Sequence, residues 1–548
     1  MTAKSADHDP IRHVVMLILE NHSFDQMLGC CKQIYPALEG VDPNRPRQNV
    51  DDAGRAFVQA PTTERMMFPD PHHEVNHVAV QLADNNGGFI RDFSRSYPPP
   101  QSDATTCGYV MGYYPLDFLP ALHALARDFT VCDHWFSSLP GPTWPNRFFA
   151  LSGTSMGRVN MPGDGEHTVD VAGWFEQDQP TLFDRLNERG IRWKSYFHDI
   201  PQSSVLVRQR LPHNAARYFY IDEFYDDARG AEADFPQFAL IEPDFMGGGE
   251  NDDHPPHDVM KAEKLIADVY NAIRANPALW QSTLLLVFYD EHGGFYDHVV
   301  PPAAIPPDDH HAEYTFDRLG VRVPALIVSP WADRGVEPTQ FDHTSVLKYL
   351  IEKWRLGPLG RRAGDATTNS IGIALRRTAP RTDTIARIEL TQEQLNPISI
   401  EQEEEAWQVE TAHHRALKAL EAWIRIAVVE NLWFGYAGLA RIVEAFKTAV
   451  EWGLRRVYRE PMQHQVSIVE LDRVARKHVP LREHFGRFLA HQKIQSIAAL
   501  DRLIRDRNLS EATRDQAVHT LSLVTNRRLH NTPRNVQTAE LWLARHNR

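Results

Sequence analysis

The sequence predicts a layered α/β domain with a mainly parallel sheet, followed by a helical region. Three short apolar runs, Val14–Leu19, Thr283–Tyr289 and Val323–Ser329, have the length of strands and lack polar alternation, as expected for strands covered on both faces. Helical patterns lie between these runs, and strands that alternate with helices indicate an α/β architecture. Beyond about residue 376, glycine and proline become scarce and apolar residues recur at helical spacing.

Helices are predicted wherever apolar residues recur at helical spacing before a terminating residue. Tyr113–Thr130 has this pattern and continues into a further element at Cys132. Leu182–Arg189 precedes Gly190, and Lys261–Asn276 precedes Pro277, which are both typical helix ends. A helical stripe at Leu417, Leu420, Ile424 and Ala427 predicts that the second region is helical.

The length predicts two or three domains, and the change in composition divides the chain into residues 1–375 and 376–548. A net charge of −14 argues against a broad nucleic-acid surface. Four cysteines without CxxC spacing indicate reduced structural thiols. No apolar run approaches the roughly 18–20 residues of a transmembrane helix, and no signal-peptide core is visible. Two alternatives follow for location: the protein stays in the cytoplasm, or its export signal lies outside the given sequence.

Two of the apolar runs end abruptly in oxygen-bearing side chains. Glu20-Asn21 follows the first run, and Asp290-Glu291 follows the second and precedes two glycines. Ligands bind beyond the carboxyl ends of strands in open α/β sheets, so these two pairs could hold one hard cation in one crevice. Adjacent acidic residues repel each other unless a cation or a positive partner compensates.

Thr143 is the hydroxyl residue of a stiff loop that contains three prolines, and a helix is predicted to begin near Asn146. The amide end of such a helix favours a phosphate. A threonine hydroxyl is a poor nucleophile unless a metal or a base lowers its pKa. Considered alone, Thr143 would be a turn residue.

Several histidines lie in irregular or helix-initiating segments. His254 and His257 follow a Gly247-Gly248-Gly249 loop and could donate to a phosphoryl oxygen or protonate a leaving group. His343 precedes Thr344 and Ser345, either of which could cap the helix that follows. Surface histidines and a simple cap are the alternatives that spacing alone favours.

Six segments in order resemble one family. They are Glu20–Asp25 (ENHSFD), Asp70–Glu74 (DPHHE), Pro140–Arg147 (PGPTWPNR), Asn251–Pro255 (NDDHP), Asp290–Asp297 (DEHGGFYD) and Arg322–Pro324 (RVP). Residues 10 to 355 resemble the bacterial phosphoesterase family that includes phosphatidylcholine-type phospholipases C and acid phosphatases. The resemblance implies an alkaline-phosphatase-like α/β/α sandwich.

The resemblance also implies roles for individual residues. One divalent metal, of which Zn, Ca, Mn and Mg are the candidates, is held by Glu20, Asn21, Thr143, Asp290 and Glu291. We assign catalytic roles to Thr143, His254, His73 and His343, and substrate contacts to His134, Asn146, His257 and His292.

The predicted function is hydrolysis of phosphodiesters of phospholipase C type through a phosphothreonine intermediate. One alternative is a phosphomonoesterase of acid-phosphatase type, and another is a non-catalytic protein that binds a metal or a phosphorylated ligand. A third is an interaction module whose functional part is residues 376–548, through peripheral membrane contact or self-association. The expected partner is a phosphoester, including phospholipid, and many similar proteins are exported.

Overall fold

The computed structural model describes residues 9–398 and residue 417, apart from 99–100, 162–177, 199–200, 207, 209–213, 215–216, 246–248, 311–313 and 397. Of the segments discussed above, Gly247, Gly248 and nearly all of residues 399–548, with the apolar stripe beyond Leu417, lie outside the described residues. The division at residue 375 therefore stays a prediction. The described residues from 9 to 208 and from 224 to 398 belong to one compact unit.

A central mixed sheet organises this unit. Seven of its strands, numbered in chain order, are β1 (His13–Leu19), β2 (Thr130–Cys132), β3 (Trp193–Phe197), β4 (Phe238–Glu242), β5 (Thr283–Tyr289), β6 (Ala325–Val328) and β7 (Gly335–Glu337). They lie in the order β7-β2-β6-β5-β1-β4-β3. Only β6 runs antiparallel to its two neighbours, so the predicted α/β class with a mainly parallel sheet is confirmed.

The two predicted site-bearing strands are neighbours at the centre of the sheet. β1 and β5 pair in parallel from His13 opposite Thr283 to Leu19 opposite Tyr289. Every residue of both strands is buried. Because successive side chains of a strand point to opposite faces, this pattern requires that both faces of the sheet are covered. The two strands end at the same level, which brings the residues after Leu19 and Tyr289 together.

Five helices carry site residues, take part in packing discussed below or correspond to helices predicted from the sequence. They are α1 (Pro120–Asp128), α2 (Thr143–Ser152), α3 (Leu182–Glu188), α4 (Val259–Ala275) and α5 (Thr344–Trp354). Other helices of four or more residues include Phe24–Met27, Val75–Gln81, Phe89–Ser96, Ala104–Val110, Ile221–Arg229, Pro277–Trp280, Gly360–Gly364 and Gln392–Leu395. Short strands occur at Gln48–Val50, Ala56–Val58, Ala60–Pro61, Gly112–Tyr113, Trp135–Phe136, Tyr218–Tyr220 and Phe341–Asp342.

Proline explains two of the differences between the predicted and observed boundaries. The helix predicted over Tyr113–Thr130 was wrong in its first half, because α1 begins only at Pro120, whose fixed φ suits the first turn. The strand predicted from Val323 begins at Ala325, because Pro324 has no N–H to donate.

Two helix starts also differ from the prediction. Helix α2 begins at Thr143 rather than near Asn146. The predicted cap of α5 by Thr344 or Ser345 was wrong. His343 holds the capping position, and the two hydroxyl side chains bond instead to Asp342.

The four cysteines are buried free thiols, as the sequence predicts. No helix in the described part of the chain combines the length and the apolar character needed to span a bilayer.

Glu263 is a buried carboxyl group on α4 that faces the start of α1. It accepts hydrogen bonds from the backbone N–H groups of Ala121 and Leu122, the latter at 3.0 Å. Burial nevertheless raises the pKa of Glu263 to about 7. Ionisation of Glu263 therefore costs folding free energy. The stability associated with its protonated form is fully present below about pH 4.5 and is lost as the pH rises through about 7.

We expect Glu263→Gln to remove this pH dependence, because glutamine keeps an acceptor for the two N–H groups without a titratable charge. The parent should lose roughly 3 kcal/mol relative to the variant between pH 4.5 and 7, from urea transitions measured across that range. Glu352→Gln, which removes a carboxylate at an exposed position of α5, is the matched control. Parallel pH profiles for the parent and Glu263→Gln would contradict the assignment.

Candidate functional site

The candidate site begins where β1 and β5 end. Asp290 N donates to Leu19 O at 3.0 Å, which continues the ladder by one residue beyond the strand. Asn21 adopts a left-handed conformation with φ of 62°. The chain at Gly293, with φ of +61°, passes so close that a Cβ there would lie 2.1 Å from Asn21 O. The Glu-Asn and Asp-Glu pairs predicted from sequence are thus brought into one place, and glycine is required beside them.

Arg147 joins the two strand ends. Its Nη2 lies 2.9 Å from Glu20 Oε1 and its Nε lies 2.8 Å from Asp290 Oδ2. Nη2 also donates to Ile18 O at 3.2 Å, and the guanidinium lies over the ring of Phe245. All three charged side chains are at least 95% buried, so this is an interior ion-pair network. Arg147 is therefore the positive partner that the adjacent carboxylates require. The sequence analysis assigned no role to this residue.

Thr143 is the first residue of α2, four positions before Arg147. Positions i and i+4 share one face of a helix, so Thr143 and Arg147 lie on the same side of α2. Thr143 is fully buried, and its Oγ1 makes no hydrogen bond among the described residues. A buried hydroxyl without a partner costs free energy, which makes this atom a candidate for contact with a bound group.

The loop before Thr143 is held by Asn146. The side chain of Asn146 accepts from Leu139 N at 3.0 Å and donates to Gly141 O at 2.8 Å. These hydrogen bonds fix the loop that carries Thr143. Contact between Asn146 and a substrate stays a prediction.

Two further buried oxygens near the strand ends lack hydrogen-bond partners among the described residues. They are Asn21 Oδ1 and Glu291 Oε1. His73 Nε2 lies close to both residues, at 3.4 Å from Asn21 Nδ2 and 3.8 Å from Glu291 Oε1. Burial, together with the charges of Glu20 and Glu291, raises the pKa of Asp290 well above its usual range despite Arg147. The amide, hydroxyl and carboxylate oxygens are donors that suit a hard divalent cation.

Two other groups of potential metal ligands occur in the described part of the chain. Asp25, Asp297 and His298 form one, and His72, Glu74 and His77 form the other, with donor atoms within 4.8 Å of one another. In the first group, Arg322 already binds both carboxylates. In the second, His72 Nδ1 lies 3.1 Å from Glu74 Oε2 and His77 Nδ1 lies 2.8 Å from Asp92 Oδ1, so both rings already have carboxylate partners. Neither group includes the ligands predicted from sequence.

Three of the predicted histidines lie together beside the strand ends. The ring of His254 is 5.9 Å from that of His73 and 6.0 Å from that of His257, and all three are largely buried. Burial opposes a positive charge on His73, but Glu291, Asp70 and Glu74 raise its pKa to about 10. His257 Nδ1 lies 2.6 Å from Asp252 Oδ1, and Asp252 O accepts from Glu20 N at 2.8 Å.

Asp252 also determines the protonation of His257. Burial again opposes the positive charge, but Asp252 raises the pKa of His257 to about 9. Because the Nδ1 of His254 bonds to Pro255 O, Nε2 is the basic atom of its neutral ring.

The remaining predicted histidines have other partners. His343 Nδ1 accepts from Trp135 Nε1 at 3.2 Å, and its Nε2 is 2.7 Å from Asp290 O. Burial lowers the pKa of His343 to about 4. A neutral ring with both nitrogens engaged positions the Asp290 peptide. His292 Nε2 bonds to Gln81 Oε1 at 2.8 Å, and its Nδ1 lies 3.4 Å from Glu291 Oε2. His134 Nδ1 bonds to Asp133 Oδ1 at 2.8 Å.

Comparison with known proteins decides the family. The profile of the Phosphoesterase family matches residues 11–357, which include every motif described above. The chain belongs to the phosphoesterase family. The match ends close to the C-terminus of α5, so the family assignment covers the sheet and the candidate site. The predicted class of enzyme, a hydrolase of phosphoric esters, is confirmed at the level of this family.

Similar proteins occur in plants and bacteria. Non-specific phospholipase C3 of Arabidopsis thaliana is 33% identical over 413 residues, which cover 68% of this chain and 75% of that protein. Non-specific phospholipase C6 of the same plant is 35% identical, covering 68% and 74%. Phospholipase C A of Mycobacterium tuberculosis (strain ATCC 25618 / H37Rv) is 29% identical, covering 64% and 76%.

One solved structure that resembles this chain is a protein in the alkaline phosphatase superfamily from Vibrio parahaemolyticus. It is 12% identical and has a TM-score of 0.28, with 45% of this chain and 62% of that chain covered. At that score the likeness carries no functional conclusion.

Proposed function

We propose that this phosphoesterase hydrolyses phosphodiesters of phospholipase C type and that Thr143 is its nucleophile. The observation that carries the proposal is the buried Thr143 hydroxyl, which has no hydrogen bond among the described residues and shares a helix face with Arg147 beside Glu20 and Asp290. The names of the similar plant and mycobacterial proteins support a phospholipid substrate. In this proposal residues 1–375 carry the catalytic machinery and residues 376–548 form a helical accessory region, whose described residues up to 398 belong to the same compact unit as the sheet.

The donor set beside Thr143 fits one divalent cation. Glu20, Asn21, Asp290, Glu291 and Thr143 would hold it. The fit rests on the buried oxygens of Asn21, Thr143 and Glu291, which accept no hydrogen bond from the residues that the structure describes. When bound, a divalent cation supplies positive charge that lowers the pKa of a hydroxyl and stabilises charge on phosphoryl oxygens.

The side chains of the chain supply the remaining chemistry. Thr143 releases its hydroxyl proton to solvent and attacks phosphorus in line with the leaving alcohol. As the bond from its oxygen to phosphorus forms, the bond from phosphorus to the leaving oxygen breaks. His254, carrying a proton on Nε2 at this stage, gives that proton to the leaving oxygen. The ring, now neutral, takes a proton from the water that attacks phosphorus, and Thr143 regains a proton from solvent as its bond to phosphorus breaks. His257, held positive by Asp252, and His73 stabilise the negative phosphoryl oxygens.

Substrate class is tested by comparing p-nitrophenyl phosphorylcholine with p-nitrophenyl phosphate under the same conditions with metal-loaded protein. We expect faster nitrophenol release from the diester. Faster release from the monoester would favour the phosphomonoesterase alternative, which uses the same site. If neither is hydrolysed by protein with bound metal, the phospholipase C proposal is contradicted for choline esters and the non-catalytic alternative is favoured.

Removing a strand-end carboxylate should weaken metal binding. We expect Glu20→Ala and Asp290→Ala to lower both the affinity for the cation, measured by calorimetry, and activity at limiting metal. Each loses one anionic oxygen ligand, so excess cation should restore part of the activity. Glu352→Ala, at an exposed position of α5, is the control and should bind metal as the parent does. Unchanged metal affinity in both strand-end variants would contradict the ligand assignment.

A further inference from the structure

We propose that Arg147 is a built-in second cation of the site. It holds the two strand-end carboxylates in place, and its removal opens the site to a second divalent ion. This inference rests on the proposed metal site. It adds a positioning role for a residue outside the ligand set assigned above.

The contacts of Arg147 are those of a bridging cation. It contacts one oxygen of each carboxylate, Oε1 of Glu20 at 2.9 Å and Oδ2 of Asp290 at 2.8 Å. A metal ion in a two-metal site bridges and neutralises acidic ligands in the same way. The guanidinium is 95% buried and packs over Phe245, so water does not replace these contacts. The charge at this position is therefore permanent.

The contacts of Arg147 also show what its removal would leave behind. Glu20 Oε1 and Asp290 Oδ2 face the guanidinium, and both side chains are fully buried. Without the guanidinium these two oxygens lose their positive partner in the interior, where an uncompensated charge is costly. Carboxylate oxygens are ligands of hard divalent cations, so a second such ion can take the place of the lost guanidinium.

The position of Arg147 also connects the carboxylates to the proposed nucleophile. Thr143 and Arg147 lie one turn apart on α2, and the ion pairs tie that turn to the ends of β1 and β5. Gln202 also connects α2 to the end of β1. It donates a hydrogen bond to Glu20 Oε1 at 2.7 Å and accepts one from Trp144 Nε1 at 2.9 Å. Arg147 thus sets the distance between the helix that presents the hydroxyl and the strands that present the carboxylates.

The test counts bound Mn²⁺, whose ligand preferences suit carboxylate and carbonyl oxygens and whose paramagnetism distinguishes isolated from coupled ions. Full-length parent, Arg147→Lys and Arg147→Met are stripped of metal, titrated with Mn²⁺ and analysed by calorimetry and electron paramagnetic resonance. We expect one isolated tight ion in the parent and in Arg147→Lys, which keeps the charge. Arg147→Met should bind two ions with a coupled-pair spectrum.

The possible results distinguish failure of the Arg147 proposal from failure of the proposed metal site. One isolated ion in Arg147→Met, bound with the affinity of the parent, would overturn the role of Arg147 and leave the proposed function intact. A coupled pair in the parent would also overturn it, and this measurement does not depend on the folding of any variant. The absence of a tight Mn²⁺ site in the parent would count against both the proposed metal site and this inference.

Discussion

Thr143→Ala is expected to abolish turnover while the protein still folds and binds its metal. The substitution deletes the only atom proposed to bond to phosphorus. The buried Oγ1 makes no hydrogen bond among the described residues, so its loss leaves no other group unpaired. Removing a catalytic nucleophile lowers the turnover number by at least about 10³-fold in well-studied hydrolases. Nitrophenol release from p-nitrophenyl phosphorylcholine measures this effect, and metal content is measured on the same sample.

Thr143→Ser is the matched variant, because it keeps a hydroxyl on the same position of α2. It should retain measurable, Mn²⁺-dependent activity, and Thr143→Ala should not. Four of the five proposed ligands remain in the alanine variant, so its metal content should stay close to that of the parent. Full activity in Thr143→Ala would exclude this residue as the nucleophile.

Arg322→Met is expected to cause a large loss of stability at a position away from the site. The Arg322 side chain is fully buried. Its Nε donates to Asp297 Oδ1 at 2.9 Å, its Nη2 donates to Asp25 Oδ1 at 3.1 Å, and its guanidinium lies 4.6 Å from the ring centre of Phe24. Removing one partner of a buried ion pair leaves uncompensated charge and costs about 3–5 kcal/mol. The shift of the first urea transition, followed by tryptophan fluorescence, measures this loss.

Arg334→Met provides the surface comparison for the same chemical change. Arg334 is half exposed and pairs with Asp128, which keeps Arg381 as a second partner at 3.0 Å. Exposed ion pairs contribute about 0–1 kcal/mol, so this variant should unfold close to the parent. Equal losses for Arg322→Met and Arg334→Met would show that burial does not decide the contribution of these arginines.

The sequence predicts the strand ends well because the apolar runs are short and end abruptly. Glu20 and Asp290 could be placed beyond two strands from local pattern alone. Their proximity depends on β1 and β5 being neighbours, which no local pattern encodes. Their pairing is a property of the whole sheet.

Arg147 was missed as a functional residue for the same reason. Its partner Asp290 is 143 residues away in sequence, and nothing in the PGPTWPNR segment indicates where its arginine points. The sequence does contain an indication of this role. Two adjacent carboxylates require a positive partner, and Arg147 lies one helical turn after Thr143. The roles assigned to His292, His134 and His343 came from motif position, whereas ring orientation depends on partners such as Gln81 and Trp135 that are distant in sequence.

The central claim is that Thr143 receives the phosphoryl group. The most direct measurement reacts His254→Gln with p-nitrophenyl phosphorylcholine, quenches with acid and maps the modified peptide by mass spectrometry. Nitrophenolate leaves without a general acid, whereas hydrolysis of the intermediate needs the base, so the adduct should accumulate. The account predicts a burst of about one nitrophenol per chain and phosphorylcholine on Thr143. Turnover without an adduct on Thr143, or an adduct on another residue, would contradict it.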